Sequence, residues 1–173
     1  MEFCSGLDLF DSITKHRSSF SEKKAAEIMK NLFLAVNHCH SNKVCHRDLK
    51  PENIMYNEKT DEIKIIDFGL SRLVDESNGS MKTMVGTAYY IAPEVINGQY
   101  GFECDCWSLG VIMYALVSGY LPFYANSPAE VFDLIKNANV SFEQKEFESV
   151  SEAAKDLIRN LLSKEKSKRY SCT

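Results

Sequence analysis

Asp48, Lys50 and Asn53 stand close together in the stretch CHRDLKPENIM, Cys45 to Met55. Phosphoryl transfer asks a protein mainly to position an acceptor hydroxyl and to neutralise charge on the moving group. It needs a carboxylate to accept the hydroxyl proton, a cation near the γ-phosphate, and oxygen ligands for Mg²⁺. One loop here supplies one of each. A second carboxylate, Asp67 in IDFGLS, follows at hairpin distance. Magnesium keeps several waters and takes one or two carboxylates beside phosphate oxygens, so Asn53 with Asp67 suffices as a protein contribution. The bland alternative for both aspartates is a pair of solvated loop acids.

The elements that must hold these residues can be read on either side. SEKKAAEIMKNLFLAVNHCHSN repeats Ala25, Ile28, Met29, Leu32, Phe33, Val36 and Cys39 at helical spacing, with Ser21 as cap and Phe20 as staple. NIMYNEKTDEIKIID predicts two short strands, Ile54 to Tyr56 and Ile63 to Ile66, around a polar turn. From Asp67 to Ala92 no period is evident, and a long loop is expected. CDCWSLGVIMYALVSG is almost wholly apolar, as in a helix buried on most sides. PAEVFDLIKNA, with Pro128 in its first turn, and SEAAKDLIRNLL, capped by Ser151, predict two amphipathic helices. The expected fold is mostly α with a small β-ribbon.

The chain has 173 residues, 45% hydrophobic and 25% charged, which suits one domain with its own core. A net charge of −4 argues against a nucleic-acid surface and is compatible with basic peptide partners, although solubility alone also accounts for it. The six cysteines have no C-x-x-C spacing, so reduced thiols in a cytoplasmic protein are expected rather than a disulfide frame or a zinc site. No apolar run approaches the roughly 18 residues of a membrane span.

HRDLKPEN, DFG and APE (Ala92, Pro93, Glu94), followed by DCWSLG and Arg169, resemble in order and spacing the C-terminal lobe of a eukaryotic protein kinase. The resemblance covers essentially the whole chain. It implies a partial kinase domain over residues 1–173, comprising hinge and C-terminal lobe. The N-terminal β-lobe and any regulatory calcium-binding domain would lie outside this chain. ATP and Mg²⁺ are the implied cofactors. Asp48 is implied as catalytic base and Lys50 as the cation on the γ-phosphate, with Asn53 and Asp67 as the Mg²⁺ ligands. His46 and Phe68 resemble members of the spine that links the lobes. Asp105 resembles the buried aspartate that anchors the catalytic loop. Glu94 with Arg169 resembles the ion pair that ties the activation segment down.

Lys50 and Thr87, the latter in GTAYY, resemble serine/threonine kinases; the Thr87 hydroxyl can bridge the base and Lys50. GTAYYIAPEV, DFGLS and SGLDLFDSI are most similar to the calmodulin-dependent group, and within it to calcium-dependent kinases of plants and protists. The same register puts Met1 at the gatekeeper, Glu2 to Cys4 at the adenine-binding hinge and Met55 beneath the base. Asp8 stands where the family usually has a glutamate that contacts ribose and a substrate arginine; a first-turn acid facing a helix dipole is the other reading. In the same register Glu52 would add a second acidic contact for a basic substrate. Ala115 replaces a further glutamate of some basophilic kinases, which lowers the expected demand for two arginines.

Arg47 and Arg72 would be neighbours in the family's folded segment and need an anion. Phosphorylated Thr83 is one source and Asp75 or Glu76 the other. A calcium-sensing domain or calmodulin-like partner would lie beyond this chain. Three functional readings stay open: an active serine/threonine kinase of which this is the large lobe, a pseudokinase scaffold, and a truncated product. Residues 1–173 alone are expected to be inactive, because the glycine-rich loop and its strand lysine are not among them.

Overall fold

The computed structural model describes residues 6–15, 20–74 and 81–172. The chain begins with strand β1 (Leu7–Asp8), which runs directly into helix α1 (Leu9–Lys15). Helix α2 spans Glu22–Ser41; Ser21 accepts the Lys24 amide at its N-terminus, and Ala25, Ile28, Met29, Leu32 and Val36 are its buried stripe. Phe33 and Cys39 lie at the margin of that stripe and are only half-buried. The Phe20 amide bonds to the Leu116 carbonyl at 2.8 Å, which fixes how the chain enters α2.

Strands β2 (Val44–Cys45), β3 (Ile54–Asn57), β4 (Glu62–Ile65) and β5 (Arg72–Leu73) follow. The ribbon β3–β4 is antiparallel with Ile54 opposite Ile65 and Tyr56 opposite Ile63. It extends beyond the sequence expectation in two ways. β1 joins it as a third strand, placing Asp8 opposite Met55. A separate two-stranded sheet pairs β2 with β5, placing Cys45 opposite Arg72. The described residues of the segment 67–92, expected to be irregular, therefore include a strand, a bridge from Met81 to Tyr100 and a 3₁₀ turn at Ala88–Tyr90.

Helices α3 (Pro93–Ile96), α4 (Glu103–Ser118), α5 (Pro128–Asn137) and α6 (Glu152–Leu161) complete the architecture. Every residue of α4 from Cys104 to Ser118 is buried, so this helix is the axis of the core. Its polar members are satisfied locally: Ser108 donates to the Tyr90 carbonyl at 2.8 Å, and Ser118 to the Tyr114 carbonyl at 2.7 Å. Gly119, at φ 77°, ends it in the left-handed conformation. α5 opens on a reciprocal cap in which Ser127 and Glu130 each accept the other's amide, with Pro128 at the first turn. No helix among the described residues is long and apolar enough to cross a membrane.

Candidate active site

The stretch from His46 to Asn53 is held from below by one buried carboxylate. Asp105, in the first turn of α4, accepts the amide of His46 through Oδ2 and the amide of Arg47 through Oδ1, both at 2.9 Å. His40, near the end of α2, shares Oδ2 at 2.8 Å. Burial pushes the Asp105 carboxyl up, but the His40 ring and the two amides outweigh it and hold it below the usual carboxylate range. The anchor permits an unusual backbone. Arg47 has φ 70°, a left-handed conformation that costs a non-glycine residue about 1–2 kcal/mol.

Asp48, Lys50, Asn53 and Thr87 converge above this anchor. Asp48 Oδ1 accepts both the amide and the hydroxyl of Thr87 at 3.0 Å. Lys50 Nζ lies 3.2 Å from Asp48 Oδ2 and donates to Thr87 Oγ1 at 2.9 Å. The Thr87 hydroxyl thus bridges the carboxylate and the ammonium. Asn53 Nδ2 donates to the Asp48 carbonyl at 2.9 Å and to Oδ2 at 3.3 Å, which turns Oδ1 to the other side. Gly86 makes the approach of the segment carrying Thr87 possible. Its φ is 112°, and a Cβ there would meet the Arg47 carbonyl at 2.9 Å.

Asp67 is brought to this group through the backbone. The Ile66 amide donates to the Asn53 carbonyl at 2.9 Å, and Asp67 follows at φ 59° with Oδ1 accepting the Gly69 amide at 3.1 Å. An amide oxygen and an exposed carboxylate are hard donors of the kind Mg²⁺ takes, so Asn53 and Asp67 fit that ion. His46 packs its ring edge-on against Phe68 at 4.8 Å, and its Nε2 lies 3.2 Å from the Ile66 carbonyl.

The other candidates are spread around this centre. Asp8 Oδ1 accepts the Asp11 amide at 2.8 Å and so caps α1, beside half-buried Met55 on β3. Glu52 is exposed on the turn that carries Asn53. Arg47 Nε donates to the Leu70 carbonyl at 2.5 Å, and Nη1 to the Tyr100 hydroxyl at 3.3 Å. Tyr100 in turn donates to the Thr83 carbonyl at 2.6 Å. Arg47 and exposed Thr83 are therefore linked through a tyrosine, while Arg72 is exposed on β5. Glu94 and Arg169 form a buried bidentate pair, with Nη2 to Oε2 at 2.9 Å; Arg169 also bonds the Ser163 and Glu103 carbonyls and lies over the Trp107 ring. Glu2 and Cys4, with Met1, Asp75 and Glu76, lie outside the described residues. His40 and Tyr100 were missed by the sequence reading, since neither belongs to a local pattern.

Comparison with known families decides the assignment: the protein kinase domain matches residues 1–173. The chain belongs to the protein kinase family. The resemblance to calcium-dependent kinases is borne out by three relatives. Calcium-dependent protein kinase 3 of Plasmodium berghei (strain Anka) is 43% identical across 100% of this chain and 31% of its own length. Calcium-dependent protein kinase 12 of Oryza sativa subsp. japonica is 45% identical across 100% of this chain and 32% of its own. Calcium-dependent protein kinase 5 of Plasmodium falciparum (isolate 3D7) is 46% identical across 91% and 28%. This kinase chain thus spans about a third of the length of the curated relatives it matches.

Proposed function

We propose that the chain is the hinge and C-terminal lobe of a serine/threonine protein kinase that transfers the γ-phosphoryl group of ATP to a hydroxyl of a protein substrate. The observation that carries this reading is the convergence of Asp48, Lys50, Asn53 and Thr87 within hydrogen-bonding distance. In it Asp48 accepts the proton of the attacking hydroxyl. Thr87, bonded to Asp48 on one side and Lys50 on the other, sets the carboxylate's orientation. Lys50 offers its ammonium to the transferring group. Bound Mg²⁺, held by Asn53 and Asp67, would neutralise charge on the phosphates.

Substrate choice and control belong to the same reading. Asp8 and Glu52 favour a basic peptide. A calcium-sensing region outside these residues is supported by the names of the relatives. Phosphorylation of exposed Thr83 would place an anion next to the Tyr100–Arg47 link, with Arg72 as a second cation on the neighbouring strand.

The test is phosphate transfer to a basic peptide by the full-length protein, with and without calcium. Asp48→Asn should abolish turnover while ATP binding persists, and residues 1–173 alone should show none. Wild-type protein that binds ATP yet transfers nothing under either condition would instead support a scaffold. Thr83→Ala should lower turnover strongly; unchanged turnover removes the phosphorylation step only.

A further inference from the structure

Cys106 and Cys172 stand 66 positions apart, yet their sulfurs approach to 3.2 Å. A ring nitrogen of His40 joins them, and the three donor atoms lie within 4.8 Å of one another. The three residues come from the end of α2, the first turn of α4 and the C-terminal segment. We propose that His40, Cys106 and Cys172 form a binding site for a zinc-class divalent cation.

Nitrogen and thiolate sulfur are the donors such a cation prefers. Zinc bonds of about 2.3 Å to sulfur and about 2.0–2.1 Å to nitrogen imply donor separations of roughly 3.4–3.8 Å at a tetrahedral centre. Small side-chain adjustments reach those separations from the ones present. Cys106 is buried, while His40 and Cys172 are half-buried, which gives the cation an entry path and leaves a fourth position for water.

The surroundings supply a second feature. His40 Nε2 lies 2.8 Å from Asp105 Oδ2. With Nε2–H donated to that carboxylate, Nδ1 would be the nitrogen offered to the cation, the usual support of a metal-bound imidazole. A second cluster, Cys45, Cys104 and Asp105, is less suited. It is wholly buried, and both Asp105 oxygens already accept the amides of the catalytic loop. Occupancy of the His40 site would tie together three segments around Asp105 and Arg169, stabilising the anchor of the catalytic loop from behind.

The experiment uses the full-length protein and its Cys172→Ser and Cys106→Ala variants, titrated with Co²⁺ and then Zn²⁺ after removal of bound metal. Thiolate-to-cobalt charge-transfer absorption separates this site from oxygen-only sites elsewhere. Wild-type protein should develop that absorption with one equivalent and lose it to Zn²⁺. Cys172→Ser, whose side chain is half-buried and whose metal-free unfolding should match wild type, should fail to develop it. Its Zn²⁺ affinity should fall by more than the roughly 10–100-fold that a lost supporting hydrogen bond costs. Equal absorption in wild type and Cys172→Ser would overturn the proposal, as would its absence from both. Peptide mapping that finds Cys106 and Cys172 joined as a disulfide in reduced preparations would overturn it as well. Should Cys106→Ala fail to fold, Cys172→Ser alone decides.

Discussion

Thr87 meets Asp48 twice, through its amide and its hydroxyl, and both bonds end on the same carboxylate oxygen at 3.0 Å. That leaves Oδ2 turned toward Lys50 and Asn53. On the proposed function, the segment carrying Thr87 would set which lone pairs of Asp48 face a substrate hydroxyl. On the proposed function, Thr87→Val should keep the amide bond but lose the hydroxyl bridge to Lys50. We expect kcat to fall about tenfold to hundredfold, as small misplacements of reacting groups do, with KM for ATP little changed. Thr87→Ser should restore most of it. Steady-state kinetics on the full-length enzyme check this; an unchanged kcat in Thr87→Val would separate the bridge from catalysis.

Asp105 lies deep in the core and holds the amides of His46 and Arg47 together with the His40 ring. Asp105→Ala should strand those two amides without partners and free Arg47 from its left-handed backbone. The expected loss of stability is about 3–5 kcal/mol, the range for removing one member of a buried charged network. Asp105→Asn should lose less, since one amide keeps an oxygen acceptor. Urea unfolding of the three proteins measures the order, and an Asn variant weaker than the Ala variant would contradict it.

The amphipathic helices α2, α5 and α6 were legible because their apolar period and start signals are local: Ser21, Pro128 and Ser151 mark where each first turn begins, while α4 showed as an unbroken apolar run. The ribbon β3–β4 was legible for the same reason, to within a residue at each end. Strands β1 and β5 were not. Two residues show no alternation, and their partners lie far along the chain. The site divides in the same way. Asp48, Lys50 and Asn53 share one loop, so their proximity is visible in the sequence. The contact of His40 with Asp105 depends on how α2 packs on α4, which no spacing encodes. The sulfur pair of Cys106 and Cys172 was hidden likewise, and a search for C-x-x-C spacing could not have found it.

Gly110 sits where α4 crosses α6. A Cβ there would meet Leu161 Cβ at 2.8 Å and Leu162 Cδ2 at 2.9 Å. Alanine is the better helix former by about 1 kcal/mol, so propensity alone predicts that Gly110→Ala stabilises. The contact distances predict the reverse. Displacing α6 should cost about 1–3 kcal/mol, as overpacked cores do, and leave the variant level with or below wild type. Thermal unfolding decides between them, and a raised Tm would show that α6 shifts freely.

Glu22, in the first turn of α2, accepts the Ser151 hydroxyl at 2.6 Å and the Ser151 amide at 2.7 Å. Ser151 in turn caps α6 by accepting the Ala154 amide at 3.2 Å, so one carboxylate braces the starts of two helices. These Ser151 bonds hold the Glu22 carboxyl below its ordinary value of 4.5. A carboxyl depressed by folding contributes stability that is present above its unfolded pKa and disappears as pH falls through the folded one. Because Glu22 is only half-buried and solvent screens its bonds, the contribution should be about 0.5–1 kcal/mol. Wild type should therefore exceed Glu22→Gln by that amount at neutral pH, and the gap should close in acid below the depressed pKa. Urea unfolding of both proteins across this range provides the check. A gap that stays constant into strong acid would mean that Glu22 acts through shape and hydrogen-bond geometry, with its charge playing no part.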